Sequence, residues 1–425
     1  MKENIIFTIN KLNPSAATSL LRLERQDFRV VVLRDKRVAP QDRTNIFLGG
    51  LTVSELETDF FDETRLKEDV SSFYGRVLGV ISRGESSIQY LAKLSDACSD
   101  WGLRLPTSES LEVATDKQRM RRAFMKNAPE VTPAYMQVAD ASRETLTQIA
   151  DVVGYPLIIK PANLASSLLI QRCNTQEQAE QSIASALETI KELYRDSGRF
   201  EEPVLIVEQM LEGELYSVDA YVTDEGEIIC CPAVGYVTGQ SVGVDDFFLY
   251  RRSAPVSLSD DDWKACQRAV ERGIQAIGLL STSTHVELCK THDGWKIIEI
   301  GPRVGRYRIE MYREAFGIEH SDNDIKIRLG MAPELTSNPK AFCSCYSVYP
   351  YEEGVLDSIN GIDQIVQLAS LVQMKRLIED GADVYHAKHG GHALAEVILA
   401  HEDSDQFRRD TEWFESNVKA KVRTV

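Results

Sequence analysis

The sequence predicts an α/β protein of two or three domains, and three observations carry that expectation. The chain has 425 residues, whereas single hydrophobic cores stop growing near roughly 250–300 residues. Its first third alternates short apolar runs with helical periodicity, the pattern of βαβ units and a parallel sheet. Its middle holds apolar runs joined by Asp/Gly turns, the pattern of antiparallel pairs. Composition is that of an ordinary globular chain, 43% hydrophobic and 27% charged.

Acidic residues outnumber basic ones 65 to 48, a net charge of −17, and the basic residues form no long run. That argues against nucleic acid and anionic membrane surfaces as partners. No apolar stretch approaches a membrane span, and the N-terminus lacks a basic region followed by a long apolar core. The eight cysteines are scattered, without zinc-type pairs, and read as buried thiols in a reducing cytoplasm.

Taken in order, Ile5–Ile9, a helix from Pro14 to Gln26 and Arg29–Leu33 read as strand, helix, strand. No G-x-G-x-x-G follows the first strand, so dinucleotide binding is not supported there. Residues 40–74 are polar and poorly periodic. Val77–Ile81 is a further strand, and Glu85–Trp101 a helix stopped by Gly102. A doubly wound N-terminal unit is expected over 1–106. Next come a helix over Thr115–Asn127 with Thr115 as N-cap, a helix over Ser142–Val153, and the short strand Leu157–Lys160. A loop of small residues, 161–167, leads to the return Leu168–Gln171 and a long helix, Thr175–Arg195. Val204–Val207 is a buried strand, Tyr216–Val222 and Glu227–Pro232 pair, and Ser259–Ile277 is amphipathic up to Gly278. Helices follow at 308–316 and 322–330. The last ~85 residues read as a strand near Cys345–Tyr349, a helix near Asp363–Ile378, a hairpin near His386–Leu399 and a helix near Ser404–Phe414.

The chemistry concentrates in 283–308. His285–Leu288 and Lys296–Ile300 flank His-Asp-Gly, a three-residue loop with glycine last. If Thr291 faces Trp295, Val286 meets Ile300, Leu288 meets Ile298, and Glu287 stands opposite Glu299. Facing carboxylates repel unless a proton or cation sits between them, and oxygen ligands at that spacing suit magnesium. Lys160 ends an apolar strand before a loop of small residues, where backbone N–H groups can approach an anion closely. Glu208–Leu211 follows a buried strand and could offer an adenine a backbone donor and acceptor.

In order, Asp116-Lys117, Gly154–Pro161, Val207-Glu208-Gln209, His285–Leu288 and Ile298–Arg303 resemble the motifs of the ATP-grasp superfamily. The likeness runs from about 110 to 330 and is strongest to carboxylate–amine ligases of the L-amino acid ligase kind. It implies an ATP-grasp fold: an N-terminal pre-ATP-grasp α/β domain (1–106), an ATP-grasp domain (107–335) with a lid at about 130–210, and a C-terminal α/β segment (336–425). The likeness also implies binding of ATP with magnesium, or manganese, and an ADP-forming ligation of a small carboxylate to an amine through an acyl-phosphate. Lys117, Lys160, Ser166 and Ser167 would meet phosphates, and Glu208, Gln209 and Leu211 the adenine. Glu287 and Glu299 would hold metal, and Arg303 would stabilise the oxyanion. Arg306 and Arg308 are candidates to clamp a substrate carboxylate, and the 236–252 loop is expected to shape the substrate pocket.

Two positions depart from the family pattern. Gly301 stands where the family has a metal-binding Asn, and Leu215 where it has a ribose-binding acid, leaving Asp219 as the candidate site-facing acid. Gly301 keeps open an inactive nucleotide-binding protein, and a thiol acceptor is the alternative within enzymes. His386, His389 and His392 straddle Gly390-Gly391, cannot share a helical face, and read as turn and strand residues rather than a zinc site. A homodimer is the default assembly.

Overall fold

Alternating apolar runs at the start of the chain build a four-stranded sheet buried on both faces. The computed structural model describes residues 4–23, 28–38, 51–163, 168–196 and 202–424. In this first sheet the strands lie parallel in the order Thr52–Thr58, Phe28–Asp35, Asn4–Ile9, Val77–Ile81. Ile5, Phe7 and Ile9 enter one core, while Ile6, Val30 and Val32 enter a second on the opposite face. Continuous apolar runs are what a doubly covered parallel sheet requires. Strand Thr52–Thr58 and helix Glu63–Ser71 fall in the stretch whose sequence shows no clear period. The strand is an edge strand, largely out of the core, so its residues need not be apolar.

A second, antiparallel sheet occupies the stretch expected as the lid. Its order is Tyr135–Val138, Leu205–Gln209, Leu157–Pro161, Gln171–Cys173, with helices Arg143–Val152 and Gln176–Asp196 packed on it. Ser142 caps the first helix by accepting from the Thr145 N–H.

The main sheet has nine strands. Its order is Gly294–Gly301, Thr282–Thr291, Glu214–Val222, Val234–Thr238, Leu249–Ala254, Phe342–Val348, Ala395–His401, Leu371–Arg376, with Ile228–Cys230 paired on Glu214–Val222. Three of these strands come from beyond residue 336, so the end of the chain completes the central sheet. Two expectations fail there. The segment 363–378 is one 3-10 turn, Ile362–Gln367, followed by strand Leu371–Arg376, because Ile362 and Ile365 suffice to anchor the turn in the core. No hairpin spans 386–399: the strand Ala395–His401 finds its partners at Phe342–Val348 and Leu371–Arg376 instead. A final strand, Lys419–Arg423, pairs with Gly354–Asn360 and was not anticipated.

Helix Asp260–Ile277 covers one face of the main sheet. Ser259 accepts from the Asp262 N–H, three aspartates occupy its first turn, and Gly278 ends it in the left-handed region at φ 73°. Asp324 joins the first sheet to the centre: it accepts from Arg83 Nε (3.2 Å), Arg328 Nε (3.1 Å) and Ser283 Oγ (2.8 Å). Among the described residues, no helix is long and apolar enough to cross a membrane.

Gly273 lets that covering helix approach the sheet, since a Cβ there would collide with the tip of Ile297 and press on Ile300. Helix propensity would favour Ala over Gly by up to ~1 kcal/mol, but overpacking costs about 1–3 kcal/mol. Gly273→Ala is therefore expected to be destabilising by about 1 kcal/mol on balance, and Ile297→Val in the same chain to recover most of it, read from urea unfolding midpoints.

Candidate active site

The hairpin Thr282–Thr291/Gly294–Gly301 brings Glu287 opposite Glu299, by a route the sequence did not show. Its turn has two residues, His292 and Asp293, so Thr291 faces Gly294 rather than Trp295. That tighter turn would slip the pairing by one place. A bulge at Ile298 restores it: Leu288 faces Ile297, Glu287 faces Glu299 and Val286 faces Ile300. Val286, Leu288 and Ile300 point into the core beneath helix Asp260–Ile277. The two carboxylates face the other way and line a cleft of about 720 Å3.

Register carries this face across the sheet. Glu287 lies beside Ser217, and Leu215, Tyr236 and Arg252 follow in line on successive strands. All but Ser217 line the cleft, as does Ser347 one strand further on. The 236–252 segment, expected as a pocket-forming loop, is the ends of two strands with a short 3-10 turn at Gly239–Val242 between them. It does wall the cleft, with Tyr236, Thr238 and Phe248.

Both lysines reach this cleft. Asp116, not Thr115, caps helix Lys117–Asn127 by accepting from the Arg119 N–H; Thr115 ends the preceding helix, Ser108–Thr115. Lys117 Nζ lies 3.3 Å from Glu299 Oε2, and its backbone N–H donates to Ala162 O in the lid. Lys160 Nζ lies 2.7 Å from Glu208 Oε2. Ser166 and Ser167 fall outside the described residues.

Glu208 has a side-chain role that its motif does not announce. Its side chain is buried and serves two cations, accepting from Arg121 Nε at 2.8 Å and Nη2 at 3.1 Å besides Lys160. Arg121 Nη2 also donates to Ile298 O (2.7 Å), the carbonyl of the bulge. Arg121 was missed because nothing local marks it: it is one of several basic residues on an amphipathic helix. Burial opposes ionisation of Glu208, yet Arg121 and Lys160 outweigh it and hold the carboxyl down to about 2. Burial, reinforced by Arg121 and Lys117, outweighs the shared Glu208 and lowers Lys160 to about 8. The N–H groups of Gln209 and Met210 are spent on Ala134 O and Pro156 O, while Leu211 lines the cleft.

Asp219 is not a site-facing acid. It has no exposure, and its oxygens accept from His285 Nδ1 (2.6 Å), His320 Nε2 (2.8 Å) and the Gly305 N–H (2.8 Å). Burial opposes its ionisation, but His285 and His320 outweigh that and hold it well below the usual carboxylate range. It thereby orients His285, whose Nε2 lies 3.4 Å from Glu287 Oε1. Gly301 faces His285 across the hairpin.

Arg303 Nε donates to Glu85 Oε2 at 2.7 Å, so the first unit positions it. Burial works against its charge, but Glu85 outweighs burial and raises the guanidinium further. Arg306 pairs with Glu396 and is mostly exposed. Arg308, a candidate clamp, is buried and donates to Ser217 Oγ, with Nε 3.7 Å from Asp219. Elsewhere His386 and His389 come within reach of Glu353, whose Oε1 accepts from His389 Nδ1 (2.6 Å) and from the His386 N–H (2.9 Å). A 3-10 turn, Ala387–His389, brings the two rings together, a geometry that helical spacing does not reveal.

Residues 153–309 match the ATP-grasp domain family. The chain is 25% identical over 311 residues to the uncharacterized protein y4rH of Sinorhizobium fredii, covering 72% of this chain and 60% of that protein. It is 25% identical over 318 residues to the L-arginine-specific L-amino acid ligase of Bacillus subtilis, covering 72% of each. The crystal structure of L-amino acid ligase from Bacillus licheniformis superposes over the whole of both chains with a TM-score of 0.76 at 17% identity. Residues 153–309 thus match an ATP-grasp domain, and the chain shares the fold of that solved ligase.

Glu208→Gln would leave Arg121 and Lys160 buried without their carboxylate. Losing one partner of a buried ion pair costs about 3–5 kcal/mol. The expected outcome is a loss of that size in urea unfolding, partly restored when Lys160→Met is added; independent, additive effects would contradict the shared-carboxylate geometry.

Proposed function

We propose that the protein is an ATP-dependent ligase that activates a small carboxylate, that of an amino acid, as an acyl-phosphate and joins it to an amine with release of ADP and phosphate. One observation carries the reading: Glu287, Glu299, Lys117, Lys160 and Arg303 converge on a single cleft between lid and sheet. The relative named as an L-arginine-specific L-amino acid ligase supports the same reaction class.

The facing carboxylates of Glu287 and Glu299 offer the oxygen donors that a hard divalent cation takes, and both open to the cleft. Magnesium, when bound there, screens phosphate charge and aligns the terminal phosphate for attack. Lys117 and Lys160 neutralise phosphate oxygens, and Leu211 packs against the base. Arg303, held by Glu85, stabilises the oxyanion as the amine attacks the acyl-phosphate; one such donor is worth about 3–4 kcal/mol. Gly301 contributes no ligand, which favours as second reading a protein that binds nucleotide without turnover.

Phosphate release measured over a matrix of amino-acid pairs, with product masses determined, tests the reading. The expected result is a condensed product in one pairing, with Glu299→Ala and Arg303→Ala each lowering turnover at least ~100-fold. Nucleotide binding with no stimulation by any amino acid or amine would favour the second reading.

Lys160 sets a pH dependence. Its lowered value of about 8 means that the free protein loses this charge as pH rises through 8. Affinity for MgATP is expected to fall above that pH, with proton uptake on binding between pH 8 and 9, seen by calorimetry in buffers of differing ionisation enthalpy. Lys160→Met should abolish the uptake.

A further inference from the structure

Nearly every cation lining the cleft already has a carboxylate. Lys117 has Glu299, Lys160 has Glu208, Arg303 has Glu85, Arg306 has Glu396, and Arg308 lies near Asp219. Arg172 is exposed and solvated. Arg252 is the exception: it is 5% exposed, and among the described residues no carboxylate lies within ion-pair distance.

Its fork is held in place nonetheless. Nη1 donates to Leu249 O (3.3 Å) and Ser347 Oγ (3.2 Å), and the guanidinium carbon lies 5.0 Å from the centre of the Tyr307 ring. A guanidinium has five N–H donors in a plane suited to a carboxylate, so this anchoring leaves much of the fork for a ligand. Arg308 and Arg306 stand nearby, and burial together with Arg308 pushes Arg252 down to about 10. Arg252 itself has no ion-pair partner among the described residues, and the Glu287 carboxylate feels its charge across the cleft.

Position decides which anion. Arg252 lies three strands from Glu287 along the sheet, roughly 14 Å of backbone at strand spacing. Their side chains approach across the cleft closely enough for Arg252 to help hold the Glu287 carboxyl low, so the two ends serve neighbouring parts of one ligand. We propose that Arg252 anchors a carboxylate the substrate keeps through the reaction, making the protein selective for an amino acid over a plain amine or monoacid. The inference rests on the ligase reading and assigns a specificity role to a residue outside its motifs. Two sources share the chemistry: the α-carboxylate of the acceptor amino acid, or a side-chain carboxylate on the donor.

The test compares wild type, Arg252→Gln and Arg252→Lys in product formation, using each amino-acid substrate beside its amide: L-alanine against L-alaninamide as acceptor, L-glutamate against L-glutamine as donor. In Arg252→Gln the KM for the carboxylate-bearing substrate should rise 10- to 100-fold while KM for its amide and for ATP stays put. Arg252→Lys should recover part of the loss. Sensitivity confined to the acceptor pair or to the donor pair names the source. Equal loss on acid and amide, or no KM change, overturns the proposal. If wild type turns over none of these pairs, the wider matrix of amino-acid pairs decides the ligase reading separately. Calorimetry of the same four compounds with a non-hydrolysable ATP analogue and magnesium then decides. Tighter acid than amide binding that vanishes in Arg252→Gln supports the anchor, and its absence overturns it.

Discussion

The carboxylate of Glu208 is the constraint on which the site depends. It is a lid residue, yet one of its two cations, Arg121, stands on a helix of the central unit and reaches the carbonyl of Ile298. Ile298 is the bulged residue that brings Glu299 opposite Glu287. Lys160 on the lid and the acid pair on the sheet are thus linked through one buried ion cluster. Lys117 adds a second link, with its side chain on Glu299 and its backbone N–H on Ala162 of the lid. Burying three charges is unfavourable unless geometry and hydrogen bonds compensate. Here three charge-assisted bonds to one carboxylate supply that compensation, and they also set the height of the lid above the acids.

The hairpin illustrates how far sequence reasoning reaches and where it stops. The facing of Glu287 and Glu299 was readable because alternation sorts acids from apolar residues on each strand. The turn length and the bulge were not, because two errors of one residue each cancel in the final register. Ordered motifs likewise located Lys117, Lys160 and Arg303. Their partners Glu85 and Arg121, and the role of Arg252, come from distant segments that no local pattern marks. Asp219 failed for the opposite reason: its strand position points it to the correct face, but under Gly305 and between two histidines.

The same limits hold for the fold. Strands buried on both sides announce themselves as apolar runs, as in Asn4–Ile9 and Phe28–Asp35. Edge strands do not: Thr52–Thr58 and Leu371–Arg376 keep most of their side chains outside the core, so their composition follows solvent rather than structure. The misread helix at 363–378 and the unread strand Thr52–Thr58 share that cause.

Across the floor of the cleft the charges form a gradient with a chemical sense. At one edge of the sheet Glu299 and Glu287 face each other, a place that favours a cation. Past Ser217 and Tyr236 the floor turns basic, with Arg308 beneath, Arg252 in line and Arg306 at the rim. The negative end is compensated only partly, by Lys117 and the positioned Arg303; the positive end has spent its acids on Arg306 and Arg308. A ligand that neutralises both ends must be cationic where it meets the acids and anionic where it meets Arg252. A metal-bound phosphate beside an amino acid that retains a carboxylate satisfies both at once, whereas a plain amine leaves Arg252 buried and unpaired. Electrostatics at two ends of one sheet face thus constrain the ligand of the proposed ligase more tightly than its motifs alone do.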